Sequence, residues 1–157
     1  MKNLFVILLI VIAFSVTNYG QTETKKSPSK KTYDAKLAKK LGADEMGMKN
    51  YVFAMLKRGK TKFDDTKRQE LINGHLKNIG RLAEEGKLVL AGPFMDDADW
   101  RGIYIFNVKT VEEAQKLVET DPAINAGVFE FELHPWYGSA TLTEIMKMHK
   151  TIQKKDF

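Results

Sequence analysis

The hydrophobic pattern of residues 50–138 switches between a strand period and a helix period in the order β-α-β-β-α-β. This ordering constrains the fold more than any single motif, because the two periods dictate which face each element buries. The order is the ferredoxin-like arrangement, an α+β fold with two helices on one face of a four-stranded sheet. The other face then has no cover within the protomer. A second copy laid against it would close the open face, so a homodimer is expected.

Tyr51–Leu56 is a short apolar run that predicts the first strand, and polar Lys57–Lys62, with Gly59, predicts a loop. A helix is predicted over Thr66–Glu85. Thr66 and Gln69 form a capping box, Leu71, His75, Ile79 and Leu82 recur on one face, and Gly86 supplies a left-handed stop. Leu88–Ala91 predicts the second strand, broken by Gly92-Pro93, and Gly102–Val108 predicts the third. Between them Asp96, Asp97 and Asp99 make an acidic loop. Thr110 and Glu113 cap a second helix with Ala114, Leu117 and Val118 on its apolar side. Asp121-Pro122 ends it, since a residue before proline avoids the helical region. After a turn at Ala123–Ala126, Val128–Trp136 predicts the last strand. Its Phe129, Phe131 and Leu133 are expected to face the helices, with Glu130, Glu132 and His134 on the open side.

The flanks read differently. Lys2 and Asn3 precede a run from Leu4 to Val16 that is apolar except for Ser15. Spanning a bilayer takes roughly 20 apolar residues, so residues 1–20 are expected to be a cleavable signal peptide, cut after Gly20. The protein is then secreted or periplasmic, with no stable membrane insertion after cleavage. The competing reading is an uncleaved anchor that tethers the domain to the membrane. Residues 21–49 read as a basic flexible linker, in which Ala35–Leu41 has room for a helical turn or two. Residues 139–157 carry Leu142, Ile145, Met146, Met148 and Ile152 at helical spacing, which predicts a C-terminal helical tail packed on the domain or on a partner protomer.

Composition removes several classes of function. The chain has 157 residues and no cysteine. Disulfides, thiolate metal sites, a cysteine nucleophile and a lipoprotein anchor are therefore excluded. The net charge is +5, but its excess lies in the linker. Lys25, Lys26, Lys30, Lys31, Lys36, Lys39 and Lys40 stand there against Glu23 and Asp34, and residues 41–157 are almost balanced. A nucleic-acid reader carries its basic stripe on the folded domain, so no nucleic-acid partner is expected. Asp96, Asp97 and Asp99 lack the glycine and terminal glutamate of a calcium loop. Glu130, Glu132 and His134 would spread over about 13 Å along one strand, too far for one ion. No metal and no cofactor are expected.

His75 is the sharpest candidate residue. An imidazole inside an apolar stripe needs a hydrogen-bond partner. That partner is either a backbone carbonyl satisfying a core histidine, or a group that equips the ring for acid–base work near neutral pH. Gly92 and Pro93 either break a strand or shape a pocket wall. Trp136 and Tyr137 either line a pocket or cover the sheet edge.

The stretch AGPFMDDADWRGIYIFNVKTVEEAQKLVETDPAINAGVFEFELHPWYG resembles the YciI-like family of YCII-related domains. The likeness rests on a strand ending in Gly92-Pro93, an acidic loop, a strand-helix unit, and then Asp121-Pro122 and Gly127 before the last strand. His75 lies on the preceding helix, where that family carries a histidine. The resemblance spans residues 50–138 and implies a dimeric α+β barrel. It also implies a His-Asp dyad, His75 with Asp121, in which the carboxylate orients the ring and stabilises its protonated form. No motif-placed serine accompanies the pair. Acyl transfer is therefore not expected, and a lone dyad fits a small cofactor-free enzyme of lyase or isomerase type acting on a small molecule, with Gly92, Pro93 and Trp136 as the candidate substrate-binding residues. One branch of the family resembles a lyase that removes chloride from a chlorinated hydroxyquinol, and no residue assigns this chain to that branch. The signal peptide and lysine tail depart from the short cytoplasmic members and argue against a cytoplasmic metabolic role. A non-catalytic binding module and a purely structural dimer are the competing readings.

Overall fold

In the computed structural model, which describes residues 32–155, the elements follow in chain order. They are α1 (Ala35–Leu41), β1 (Met48–Arg58), α2 (Asp65–Glu84), β2 (Leu88–Pro93), β3 (Trp100–Phe106), α3 (Val111–Val118), α4 (Pro122–Asn125), β4 (Phe129–Ser139), a 3₁₀ turn (Ala140–Glu144) and α5 (Ile145–Ile152). The expected signal peptide, its cut after Gly20, and residues 21–31 of the expected linker lie outside the described residues.

The sheet has the order β2-β3-β1-β4, and every neighbouring pair is antiparallel. This is the ferredoxin-like α+β arrangement expected from the pattern. β1 is central. It pairs with β4 from Met48↔Ser139 to Arg58↔Phe129 and with β3 from Val52↔Phe106 to Lys57↔Trp100. One face of the sheet builds the main core: Val52, Ala54 and Leu56 of β1 and Tyr104 and Phe106 of β3 meet Leu82 of α2 and Ala114 and Val118 of α3. Phe131 and Leu133 join this cluster, so the phenylalanine-bearing side of β4 does face the helices.

Several boundaries differ from the sequence reading for identifiable reasons. The residues expected as linker are ordered from Asp34 on. Asp34 caps α1 by accepting from Leu37 N at 2.9 Å, Gly42 closes the helix at φ 70°, and Leu41 is buried. β1 then begins at Met48, inside the same segment. The helix spans Ala35–Leu41, the stretch given room for a helical turn or two, and its only buried side chain is Leu41. α2 starts one residue early because Asp64, not Thr66, is its cap, accepting from Lys67 N at 2.8 Å. β2 does not break at Gly92 but runs through Pro93, which pairs with Gly102. A proline is tolerated there because β2 is an edge strand with no further partner to receive its missing N–H. The Thr110 cap stands as expected, accepting from Glu113 N at 3.2 Å.

The other sheet face carries Tyr51, Val89 and Ile105, with Phe53, Leu90 and Leu142 packed against them. The 3₁₀ turn thus covers part of this face through Leu142, and α5 lies beside β2. Lys57 reaches over the Trp100 ring at 4.4 Å and pairs with Glu132. No helix among the described residues is long and apolar enough to cross a membrane.

Candidate functional site

α2 presents Leu71, His75, Asn78 and Leu82 to the protein interior, at the spacing that keeps one helix face turned inward. Opposite His75 the chain leaves α3 and turns sharply at Asp121-Pro122. Asp121 caps α4 through Oδ1, which accepts from Ala123 N at 2.9 Å and Ile124 N at 3.4 Å. Proline at the first helical position suits this start, since its fixed φ is helical and its missing N–H has no partner to lose. The cap leaves Oδ2 free to face α2, where it meets His75 Nδ1 at 2.6 Å. Asp121 is wholly buried and His75 is 8% exposed.

The close approach depends on Gly74. A Cβ at this position would lie 2.7 Å from Cγ of Pro122, so any side chain there would push the Asp121-Pro122 turn off the helix. A second tie lies one turn further along α2. Asn78 Oδ1 accepts from Arg81 at 2.7 Å and from Thr120 Oγ1 at 3.1 Å, and Arg81 also donates to Thr120 Oγ1 at 2.9 Å. These bonds hold the residue just before Asp121 against the helix.

Tyr104 of β3 completes the group. Its hydroxyl lies 3.3 Å from both ring nitrogens of His75 and 3.4 Å from Asp121 Oδ2. With the Nδ1 proton given to Asp121, the hydroxyl can donate to Nε2 or to Oδ2, both at the long end of hydrogen-bond range. Burial, then the neighbouring Asp121 charge, then the bond to that carboxylate push the Tyr104 pKa up. Tyr104 therefore stays a neutral donor. Its ring stacks on His75 at a centroid distance of 6.0 Å, and Phe129 tilts against the imidazole at 5.0 Å.

The chemistry follows from the bonding. Asp121 accepts the Nδ1–H of neutral His75 and so directs the lone pair to Nε2. When Nε2 takes a proton, the same carboxylate faces the resulting cation. His75 and Tyr104 line a cleft of about 290 Å³ between α2 and the β2–β3 edge. Its walls are mostly apolar, with Leu56, Ile72, Ile79 and Phe129 among them, and Arg68 and Arg101 border it.

Gly92 and Pro93 lie in the wall of this cleft. Trp136 does not, and its expected place there is corrected. It sits on the opposite face of the sheet, with its ring 5.8 Å from Tyr51 and 6.4 Å from Phe53. The alternation that turns Phe131 and Leu133 to the helices turns Trp136 away from them. Tyr104, Arg68 and Arg101 were not singled out from sequence. Tyr104 carried a usable signal, because it alternates with Ile103 and Ile105 on the side of Phe106. Among the described residues no three His, Asp or Glu side chains are arranged to hold a metal ion. Glu132 and Glu130 instead meet Lys57 and Lys60.

The YCII-related domain matches residues 50–137, more than half of the chain. The uncharacterized protein YjpA of Bacillus subtilis (strain 168) is 31% identical over 86 residues, covering 55% of this chain and 94% of YjpA. Among solved structures, 5-chloro-2-hydroxyhydroquinone dehydrochlorinase (TftG) from Burkholderia phenoliruptrix AC1100, in complex with 2,5-dihydroxybenzoquinone, is 24% identical. That match covers 54% of this chain and 92% of TftG, with a TM-score of 0.41. The chain belongs to the YCII-related domain family.

Proposed function

We propose that this member of the YCII-related domain family is a cofactor-free enzyme of lyase or isomerase type, in which His75 Nε2 removes a proton from a small molecule. The observation that carries this reading is the 2.6 Å contact between His75 and buried Asp121 at the wall of an apolar cleft. A buried carboxylate that fixes the tautomer of a histidine and faces the cation it becomes is suited to general base catalysis. Tyr104, held protonated, supplies a donor for negative charge that develops on the substrate. The experiment is a turnover screen of small carbon acids with the wild-type protein, His75→Gln and Asp121→Asn. His75→Gln should lower kcat about 10²–10⁴-fold with little change in KM. A ligand that binds wild type and His75→Gln alike, with no turnover by either, would replace the enzyme with a binding module.

The assembly and location belong to the same proposal. A homodimer closing the open sheet face is supported by Trp136, which lies there 38% exposed. Export is supported by the apolar run Leu4–Val16. Light scattering with intact-mass analysis of the exported protein tests both. The expected result is a chain beginning at Gln21 and a solution mass of twice that chain. A monomer at micromolar concentration removes the dimer, and a retained Met1 removes the cleavage.

A further inference from the structure

Two guanidinium groups border the cleft, and among the described residues neither has a carboxylate partner. Arg68 lies on α2, seven positions before His75 and on the same face, which places it about 10 Å along the helix axis. Among the described residues its side chain makes no ion pair and no hydrogen bond. Arg101 approaches from β3. Its guanidinium donates only to the carbonyl oxygens of Asp96 at 3.3 Å and Ala98 at 3.4 Å. No carboxylate of the acidic loop lies within ion-pair range of it. Arg81, by contrast, is on α2 outside the cleft and is tied to Glu85 at 2.8 Å.

The backbone singles out Arg101 as well. The β1–β3 ladder slips there. Leu56 pairs with Gly102 and Lys57 with Trp100, so Arg101 has no opposite residue on β1. A bulge of this kind re-aims the side chain of the extra residue and recurs beside active sites. The rest of the lining is apolar, apart from His75 and Tyr104 at the inner end. A cleft of about 290 Å³ is roughly twice the 150 Å³ cavity that admits benzene in another protein. It has room for one substituted ring or an aliphatic body of similar size.

We propose that the substrate is a small carboxylate with an apolar body, and that Arg68 and Arg101 hold its carboxylate at the mouth of the cleft while the body reaches His75. This deepens the catalytic reading above and rests on it for the role of His75. The planar guanidinium matches a carboxylate in two parallel hydrogen bonds, and neither arginine has to leave another carboxylate to make them. The arrangement also separates tasks. The arginines fix one end of the molecule, Tyr104 stands beside the reacting carbon, and Nε2 receives the proton.

The test reads binding, so it does not depend on turnover. Benzoate and its neutral analogue benzamide are titrated into the full mature chain and followed by amide chemical shifts. Benzoate should shift the resonances of Ile72, Tyr104 and Phe129, and benzamide should bind at least tenfold more weakly. Arg68→Gln and Arg101→Gln should each weaken benzoate about tenfold and leave benzamide unchanged, whereas Arg101→Lys should retain part of the affinity. Benzoate affinity should fall as salt rises. His75→Gln should still bind benzoate, which separates loss of the anion site from loss of the base. Equal affinity for the two probes, indifference to both arginine substitutions, or no benzoate binding would overturn the proposal.

Discussion

Asp121→Ala should lower the unfolding free energy by about 3 kcal/mol, the largest effect expected from any polar substitution in this protein. The side chain has two jobs and no exposure. Through Oδ1 it caps α4, and through Oδ2 it receives His75. Alanine leaves the N–H groups of Ala123 and Ile124 and the Nδ1–H of His75 without their acceptor. A lost cap costs about 1 kcal/mol, and an orphaned buried donor costs about 1–3 kcal/mol. A domain of ordinary stability has only about 5–15 kcal/mol to lose, so urea unfolding resolves the change easily. Asp97→Ala, in the exposed acidic loop, is the control and should stay within about 0.5 kcal/mol.

Asp121→Asn separates the two jobs. Its amide oxygen still caps α4, so less stability is lost. The amide nitrogen donates where the carboxylate accepted, so it favours the tautomer with the proton on Nε2. In wild type the His75 Nδ1–H should give a downfield proton resonance, protected by burial and shared with a carboxylate. Asp121→Asn should abolish it. An Asp121→Ala protein as stable as wild type would mean that the His75–Asp121 contact does not exist in solution.

The fold is legible in the sequence where one face of an element is buried and the other is wet. Thr110 with Glu113, and the alternation of Phe131 and Leu133, are of that kind. The same alternation also excludes Trp136 from the cleft, because it is the only face-determining rule that a strand obeys. Composition was the weaker guide. It hid the start of β1 and left Ala35–Leu41 as no more than a turn within a linker, whereas a short helix needs only a cap, a left-handed glycine and one buried leucine. Of the site, His75 was visible as a polar intruder in an apolar stripe. Asp121 was visible only through its resemblance to a family pattern, because an Asp-Pro pair ends many helices. Tyr104 and the two arginines depend on which strand faces which helix turn, and on a bulge at Arg101. Tyr104 could be read from its alternation with Phe106, but the arginines follow no period that a single sequence displays.

Phe106→Ala should be the most damaging apolar substitution near the site, at about 4 kcal/mol. The ring has no exposure, and it lies among Val52, Leu88 and Val118 at the centre of the main core. It also meets Tyr104 edge-on at a centroid distance of 5.5 Å. Truncation removes most of a large side chain from a region held by two flanking strands, β1 and β2, which cannot collapse freely into the space. Phe106→Leu keeps much of the volume and should cost less than about 1.5 kcal/mol. The consequence for the site is specific. Without the ring behind it, Tyr104 should no longer hold a single position over His75 and Asp121, and its aromatic resonances should broaden in Phe106→Ala but not in Phe106→Leu. On the proposed function, small-molecule turnover should then fall further than the fraction of folded protein, because the Tyr104 donor is misplaced. If the alanine variant loses under about 1 kcal/mol and keeps sharp Tyr104 signals, the strand pairing that puts Tyr104 beside His75 is wrong.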